Sequence, residues 1–278
     1  MIEIAVLITV FNRKKATLEC LKNLHGQNDL NKKFSISIFL VDDGSTDGTS
    51  IEVKSNFPDV NIIQGNGKLF WNGGMRLAWD NASKHDFDAY LWLNNDTLLY
   101  SNCISTIIDT SANHNYTSII CGSTESLKNK GLWTYGGGNY IKNKFIPNYP
   151  EGIEKSCSII NGNCVFVPKY VYKIVGNLDE IFIHSIGDND YSLRAAKLGI
   201  DVLTTGTFIG QCERNDSLPL WCLKETSLSN RFKNLYSPLA NSHPKYYFIY
   251  EFRHFGLIHA AKHFLSIHLR ALLPYLWK

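Results

Sequence analysis

Apolar residues along the chain fall into short runs separated by stretches with helical spacing, and this alternation carries most of the fold. Ile4–Val10 is a first apolar strand, ending in Phe11-Asn12-Arg13. Ala16, Leu18, Leu21 and Leu24 then recur at helical intervals. Ile36–Val41 predicts a second strand, closed by Asp42-Asp43-Gly44-Ser45-Thr46-Asp47, where Thr46 or Asp47 is placed to cap the next helix. Val60–Ile63 predicts a third, followed by the glycine-rich run Gly65–Met75 and a helix through Leu77, Ala78 and Ala82. The pattern centres on Asp88–Thr97. Ala89-Tyr90-Leu91-Trp92-Leu93 is apolar on both faces, as a buried parallel strand is, and stops abruptly at Asn94-Asn95-Asp96.

Downstream, the spacing predicts a helix over Cys103–Ala112 and a strand over Ser118–Cys121. Leu132–Ile159 carries hairpin and loop chemistry, including Trp133–Gly138 and Lys142-Asn143-Lys144. A strand at Val165–Val167 follows Asn161-Gly162-Asn163. Asp188–Leu198 is a helix stopped by Gly199, and Asp201–Thr205 a last strand. Strand–helix alternation of this kind predicts an α/β fold, a mostly parallel sheet with helices on both faces. Ligand sites in such sheets lie beyond the carboxyl ends of the strands, where Asn12-Arg13, Asp42-Asp43 and Asp96 fall.

Composition narrows the classes. The 278 residues are 44% hydrophobic and 19% charged, a globular balance suited to one large domain with an appendage. A net charge of +3 is too small to imply nucleic acid. The seven cysteines are scattered with no Cys-x-x-Cys pair, which argues against a zinc cage and fits a reducing cytosol. Met1–Ile8 carries an acid where a signal peptide wants a base, and no apolar run is long enough to span a bilayer. Neither the dinucleotide nor the P-loop glycine signature is present. Acidic and amide side chains at strand ends must then meet a phosphate through a bridging cation, and oxygen ligands suit Mg²⁺ or Mn²⁺.

Four segments together carry a resemblance: Thr9-Val10-Phe11-Asn12-Arg13, Val41–Asp47, Asn94-Asn95-Asp96 and Gly187–Arg194. In that order, each at a strand–loop junction, they resemble the motifs of family 2 glycosyltransferases. Trp71-Asn72-Gly73-Gly74-Met75 is similar to the donor loop of the rhamnosyltransferase-like bacterial branch. The resemblance covers about residues 3 to 215. It implies a GT-A (Rossmann-like) catalytic domain over 1–215, a C-terminal helical extension over 216–278, and transfer of a sugar from a nucleoside-diphosphate donor with inversion.

The same resemblance implies residue roles. Thr9, Phe11, Asn12, Arg13, Asp42 and Asp43 would form the nucleotide site. Gly67, Trp71, Asn72, Gly73, Gly74, Asn94 and Asn95 would meet the donor sugar or phosphates, with Asp96 on the metal. Asp188 would be the base, and Asn161, Asn163, His184 and Asp190 would lie on the acceptor side. Two positions depart from the family: Asn94 stands where it has an acid, and Gly187 where it has Glu. Both keep open a catalytically silent sugar-binding relative, alongside a sugar-phosphate nucleotidyltransferase. Phe252–Lys278 mixes apolar, basic and histidine residues as an amphipathic helix does. It has two readings, contact with a membrane interface or packing against the domain or a second subunit. The first suits a lipid-linked glycan acceptor at the inner face of the plasma membrane in surface-polysaccharide assembly.

Overall fold

The computed structural model describes residues 1–142, 144–215 and 217–276. Asn143 of the loop, Asp216 at the expected domain boundary and Lys278 lie outside the described residues. The N-terminal half alternates β1 (Ile2–Val10), α1 (Lys14–His25), β2 (Phe34–Asp42), α2 (Thr49–Asn56), β3 (Asn61–Gln64), α3 (Phe70–Ala82) and β4 (Ala89–Leu93). There follow β5 (Leu98–Leu99), α4 (Cys103–Asn113), β6 (Ile119–Glu125), β7 (Trp133–Tyr135), β8 (Gly137–Ile141), β9 (Lys144–Pro147), β10 (Lys155–Ser156), β11 (Ile159–Ile160) and β12 (Cys164–Pro168). The chain ends with α5 (Lys169–Val175), α6 (Gly187–Lys197), β13 (Val202–Gln211), α7 (Leu228–Leu235), α8 (Pro244–Phe255) and α9 (Leu257–Leu272).

The main sheet runs β10-β13-β6-β12-β4-β1-β2-β3, with β5 and β7 pairing off this path. β1 pairs in parallel with β2 and β4, and β2 with β3. β12 lies antiparallel between β4 and β6, while β13 returns to parallel against β6. A second sheet, β11-β8-β9, is a small antiparallel flap.

Side chains alternate across a strand, and β1 shows why its sequence is apolar throughout. Ile4, Val6 and Ile8 pack with Leu21 and Leu24 of α1 and Ile104, Ile107 and Ile108 of α4. Ala5 and Leu7 face the other side, with Met75, Ala78 and Trp79 of α3 and Tyr191 and Ala195 of α6. On that side Trp79 lies edge-on to Trp92 at 5.4 Å and tilted against Tyr191 at 5.6 Å.

Four sequence expectations are corrected. The glycine-rich Trp71–Met75 is not a loop but the first turns of α3. One close contact, described below, requires a small residue at Gly74. Thr46 does not cap α2; its N-cap is Gly48, and Asp47 Oδ1 accepts from Thr49 N–H at 3.0 Å. The last strand runs on to Gln211, because β5 and β6 supply ladder partners that no local pattern announces. The C-terminal segment is two helices, broken at Gly256 with φ +90°.

Trp79→Ala is expected to lower unfolding free energy by roughly 3–5 kcal/mol, as large aromatic truncations in cores do. Chemical denaturation followed by circular dichroism measures this.

Candidate active site

The carboxyl ends of β1, β2 and β4 open onto a cleft of about 360 Å³. Its wall takes Thr9, Val10, Phe11 and Arg13 from the end of β1, Asp43 from β2, and Asn94, Asn95 and Asp96 from β4. Gly67, Phe70 and Trp71 come from the approach to α3, His184 from the segment before α6, and Leu239 from the segment between α7 and α8. Ten expected site residues therefore meet in one place. Val10, Phe70 and Leu239 were not expected; nothing in the local pattern marks Leu239, which reaches the cleft only through the packing of the C-terminal helices.

Three expected residues brace the cleft, Asn12 and Asp42 from behind its wall and Asp43 from within it. Asn12, at φ +50°, receives Thr46 N–H on its side-chain oxygen at 2.7 Å, while its own N–H donates to Ser45 Oγ at 2.9 Å. This clips the β1 loop to the β2 loop. Asp42 is buried, accepting from Ser45 N–H at 2.8 Å and from the Ser50 hydroxyl. Asp43 accepts the N–H groups of Gly67 at 2.8 Å, Leu69 at 2.9 Å and Phe70 at 3.0 Å, which pins the start of α3. Phe70 sits in the left-handed region at φ +52°, a conformation costly for a large side chain. The Asp43 bonds hold it there.

The Trp71–Gly74 segment knots the motifs together. Trp71 Nε1–H donates to Asn94 Oδ1 at 2.7 Å, and its indole lies on Gly162, where a Cβ would strike the ring. Asn72 is fully buried and donates to the carbonyls of Asp179 at 2.9 Å and Phe182 at 2.6 Å. A Cβ on Gly187 would collide with Asn72 Oδ1, and one on Gly74 with Thr9 Oγ1. The Asn72 contact accounts for the departure at Gly187. Gly187 is small because Asn72 fills the space of a side chain, while Asn94 lines the cleft and accepts from the indole.

Asp188 lies outside the cleft lining, beyond the Trp71–Gly162 contact. Its Oδ2 accepts Gly162 N–H at 2.8 Å and its Oδ1 Asn189 N–H at 2.8 Å. Burial pushes its carboxyl up, and those amide bonds only partly offset the effect. The residue before Gly187, Ile186, has φ +77°, an outlier for a β-branched side chain. His184 faces Phe70 edge-on at 6.4 Å, and burial lowers its pKa, favouring the neutral ring. Asn163 Nδ2 donates to Cys212 Sγ at 3.4 Å, and Asn161 accepts Gly136 N–H at 3.4 Å. Both are scaffold contacts under the cleft floor.

Asp190 is fully buried and does not reach the cleft. It accepts from Arg194 Nε at 2.8 Å, Arg253 Nη1 at 2.8 Å and His254 Nε2 at 2.9 Å. Burial pushes its carboxyl up, but the hydrogen bonds from His254 and Arg194 and the charges of Arg194 and Arg253 outweigh it and leave it below the ordinary range. Arg253 also meets Asp179 at 2.8 Å. The motif helix α6 is thereby fastened to α8.

Asp96 stands at the cleft rim with its side chain 42% exposed, 2.6 Å from Arg13 Nη1. Among the described residues no group of three or more His, Cys, Asp or Glu side chains could hold a metal. The donor set fits Mg²⁺ or Mn²⁺ only in the substrate-completed manner, one carboxylate with the remaining ligands from phosphate and water.

A mostly parallel sheet with an antiparallel strand at its centre, a strand-end cleft and helices on both faces is the GT-A architecture. It is shared with S. aureus TarS residues 1–349, at 12% identity over 96% of this chain and 72% of that one, TM-score 0.59. It is shared equally with a mannosyltransferase from Pyrobaculum calidifontis in complex with GDP-Man and Mn²⁺, at 12% identity over 98% and 73%, TM-score 0.59. The glycosyl transferase family 2 model matches residues 5–173, and the chain belongs to that family. Against the longer TarS structure the chain spans 37% of the other's length. No curated protein sequence matches it.

Gly187→Ala forces Asn72 from its bonds and is expected to cost about 1–3 kcal/mol, the usual range for overpacking, read as a fall in Tm. Asp190→Asn leaves Arg194 and Arg253 without their shared buried counter-charge, at roughly 3–5 kcal/mol. The carboxyl of Asp190 is depressed in the folded state, so its contribution is complete above the unfolded value of about 3.9. It disappears as pH falls through the folded value. The gap between wild type and variant in denaturant titrations is therefore expected to close in acid.

Proposed function

We propose that this family 2 glycosyltransferase is an inverting enzyme that takes a sugar from a nucleoside-diphosphate donor to a glycan hydroxyl in bacterial surface-polysaccharide assembly. The observation that carries the reading is the convergence of three strand-end motifs, Thr9–Arg13, Asp43 and Asn94–Asp96, on one cleft beside Trp71. Phe11, an exposed aromatic at the cleft, offers a face on which a base stacks. Arg13 supplies a guanidinium for the diphosphate, a group it binds through paired N–H donors. Asn94, its oxygen engaged by Trp71, presents its amide N–H to the sugar or phosphates.

Asp96 would hold Mg²⁺ or Mn²⁺, and the ion would neutralise charge developing on the leaving diphosphate. The acceptor approaches from the Asp188 side, across Trp71 and Gly162 from the donor. Asp188 takes the proton of the attacking hydroxyl. A single displacement needs one carboxylate and no sugar–enzyme bond, which gives inversion. The raised carboxyl suits a base, since a stronger base removes the proton more readily. The Trp71–Met75 likeness puts a nucleoside-diphosphate rhamnose first among donors. A lipid-linked glycan acceptor and a cytoplasmic location complete this reading.

Calorimetry with a panel of nucleoside-diphosphate sugars, with and without Mn²⁺, tests it. One donor is expected to bind, with affinity reduced at least tenfold in Arg13→Ala, a loss of about 1.4 kcal/mol. Absence of binding by every donor would sink the proposal. Asp188→Asn is expected to retain that binding while release of nucleoside diphosphate in the presence of acceptor is lost. Because ionised Asp188 is the active form and its carboxyl is raised, turnover should fall with decreasing pH at a higher pH than for an ordinary aspartate.

A further inference from the structure

The outer surface of the α8–α9 pair has no use in the cleft. Along α9, Ala260, Ile267 and Ala271 face inward. Ile258, Leu265, Leu269 and Leu272 form an opposite stripe at helical spacing, with Ile258 73% and Leu265 67% exposed. α8 continues this surface. Phe248 stacks on Phe252 at 6.4 Å and meets Phe264 of α9 edge-on at 5.9 Å. Phe252, Phe255 and Leu257 are exposed beside them. One helix pair thus carries an inward apolar seam and a second apolar face that meets solvent, an arrangement that marks an interaction site.

Charge identifies the occupant. From Pro244 to Leu272 the chain holds Lys245, Arg253, Lys262 and Arg270 against one acid, Glu251. That acid is buried, with His259 Nε2 and His263 Nδ1 each at 2.7 Å. The solvent side therefore presents cations, with Lys245 and Lys262 exposed, and no acid. A second copy is a poor match, because a two-fold contact sets the same patch against itself and offers these lysines no acidic partner. α9 has 16 residues, too few to cross a bilayer core, and no described helix is long and apolar enough to do so. Apolar and aromatic residues on one face with lysines beside them suit a helix lying in the headgroup plane.

We propose that the outer face of α8 and α9 docks onto an anionic lipid bilayer, the helices lying flat with Phe252, Phe255, Ile258, Leu265 and Leu269 inserted. Docking is separate from the chemistry of the cleft, so it stands or falls independently of the donor. The inner face of α8 holds α6 through Arg253 and His254, which seats the motif helix directly behind the bound surface.

Co-sedimentation of the full chain with phosphatidylcholine vesicles, with and without phosphatidylglycerol, decides the matter. Binding is expected only with phosphatidylglycerol and should weaken as salt is raised. The double substitution Leu265→Glu/Leu269→Glu should abolish it, both side chains pointing outward from the fold. Lys262→Gln, which removes one charge without touching the apolar face, should weaken it roughly fivefold. Failure of the wild type to sediment with anionic vesicles would overturn the proposal, as would unchanged binding by the double variant. A dimer in solution that the double variant dissociates, with no vesicle binding, would assign the face to a second copy instead.

Discussion

The arrangement of this molecule depends on one buried negative charge. Asp190 sits without solvent between Arg194, Arg253 and His254, and Arg253 reaches on to Asp179. Desolvating a carboxylate is costly unless charged donors replace the lost water; here two guanidiniums do so, and the His254 ring adds a hydrogen bond. Those donors come from two helices: Arg194 from α6 itself and the others from α8. Lys197 Nζ adds a bond to the Arg253 carbonyl at 2.8 Å. The C-terminal helices are thus a clamp on the segment that carries Asp188, and a charge two residues from the proposed base sets where that base stands.

A second constraint is the shortage of space around α3. Trp71 lies against Gly162, Asn72 against Gly187 and Thr9 against Gly74, so each motif approaches another at a point where only hydrogen fits. The polar atoms of the same residues then lock the approach, Trp71 to Asn94 and Asn72 to the Asp179 and Phe182 carbonyls. Positive φ at Phe70 and Ile186 brackets this knot on either side. Strain of this kind persists where the surroundings over-determine the backbone, and here Asp43 with its three amides does so at Phe70.

The Arg13–Asp96 pair gives the cleft a balanced charge at its rim. Both side chains are substantially exposed, so the pair adds little to stability and can exchange partners at small cost. In the function proposed above, a diphosphate with its cation would present each of them with an opposite charge. The buried Asp190 cluster and this exposed pair illustrate opposite uses of the same residue types, one for architecture and one for exchange.

Local pattern alone determined the parallel β1–β2–β3–β4 half, because strands buried on both faces must be apolar throughout and helices covering them must repeat at 3.6 residues. It also placed Thr9, Arg13, Asp43 and Asp96 at strand ends, since strand direction fixes which edge they share. The length of β13 depended on partners distant in sequence, and Leu239 entered the cleft through helices whose docking no local spacing encodes. The tertiary structure alone decided that Asn12 and Asp42 brace loops, that Asn72 and Gly74 are packing residues, and that Asp190 is a hub. Sequence specifies which residues carry hydrogen-bonding and charge. Only the packed fold decides whether such a group faces a cleft or is spent on a neighbour, because that depends on which elements come within three ångströms of it.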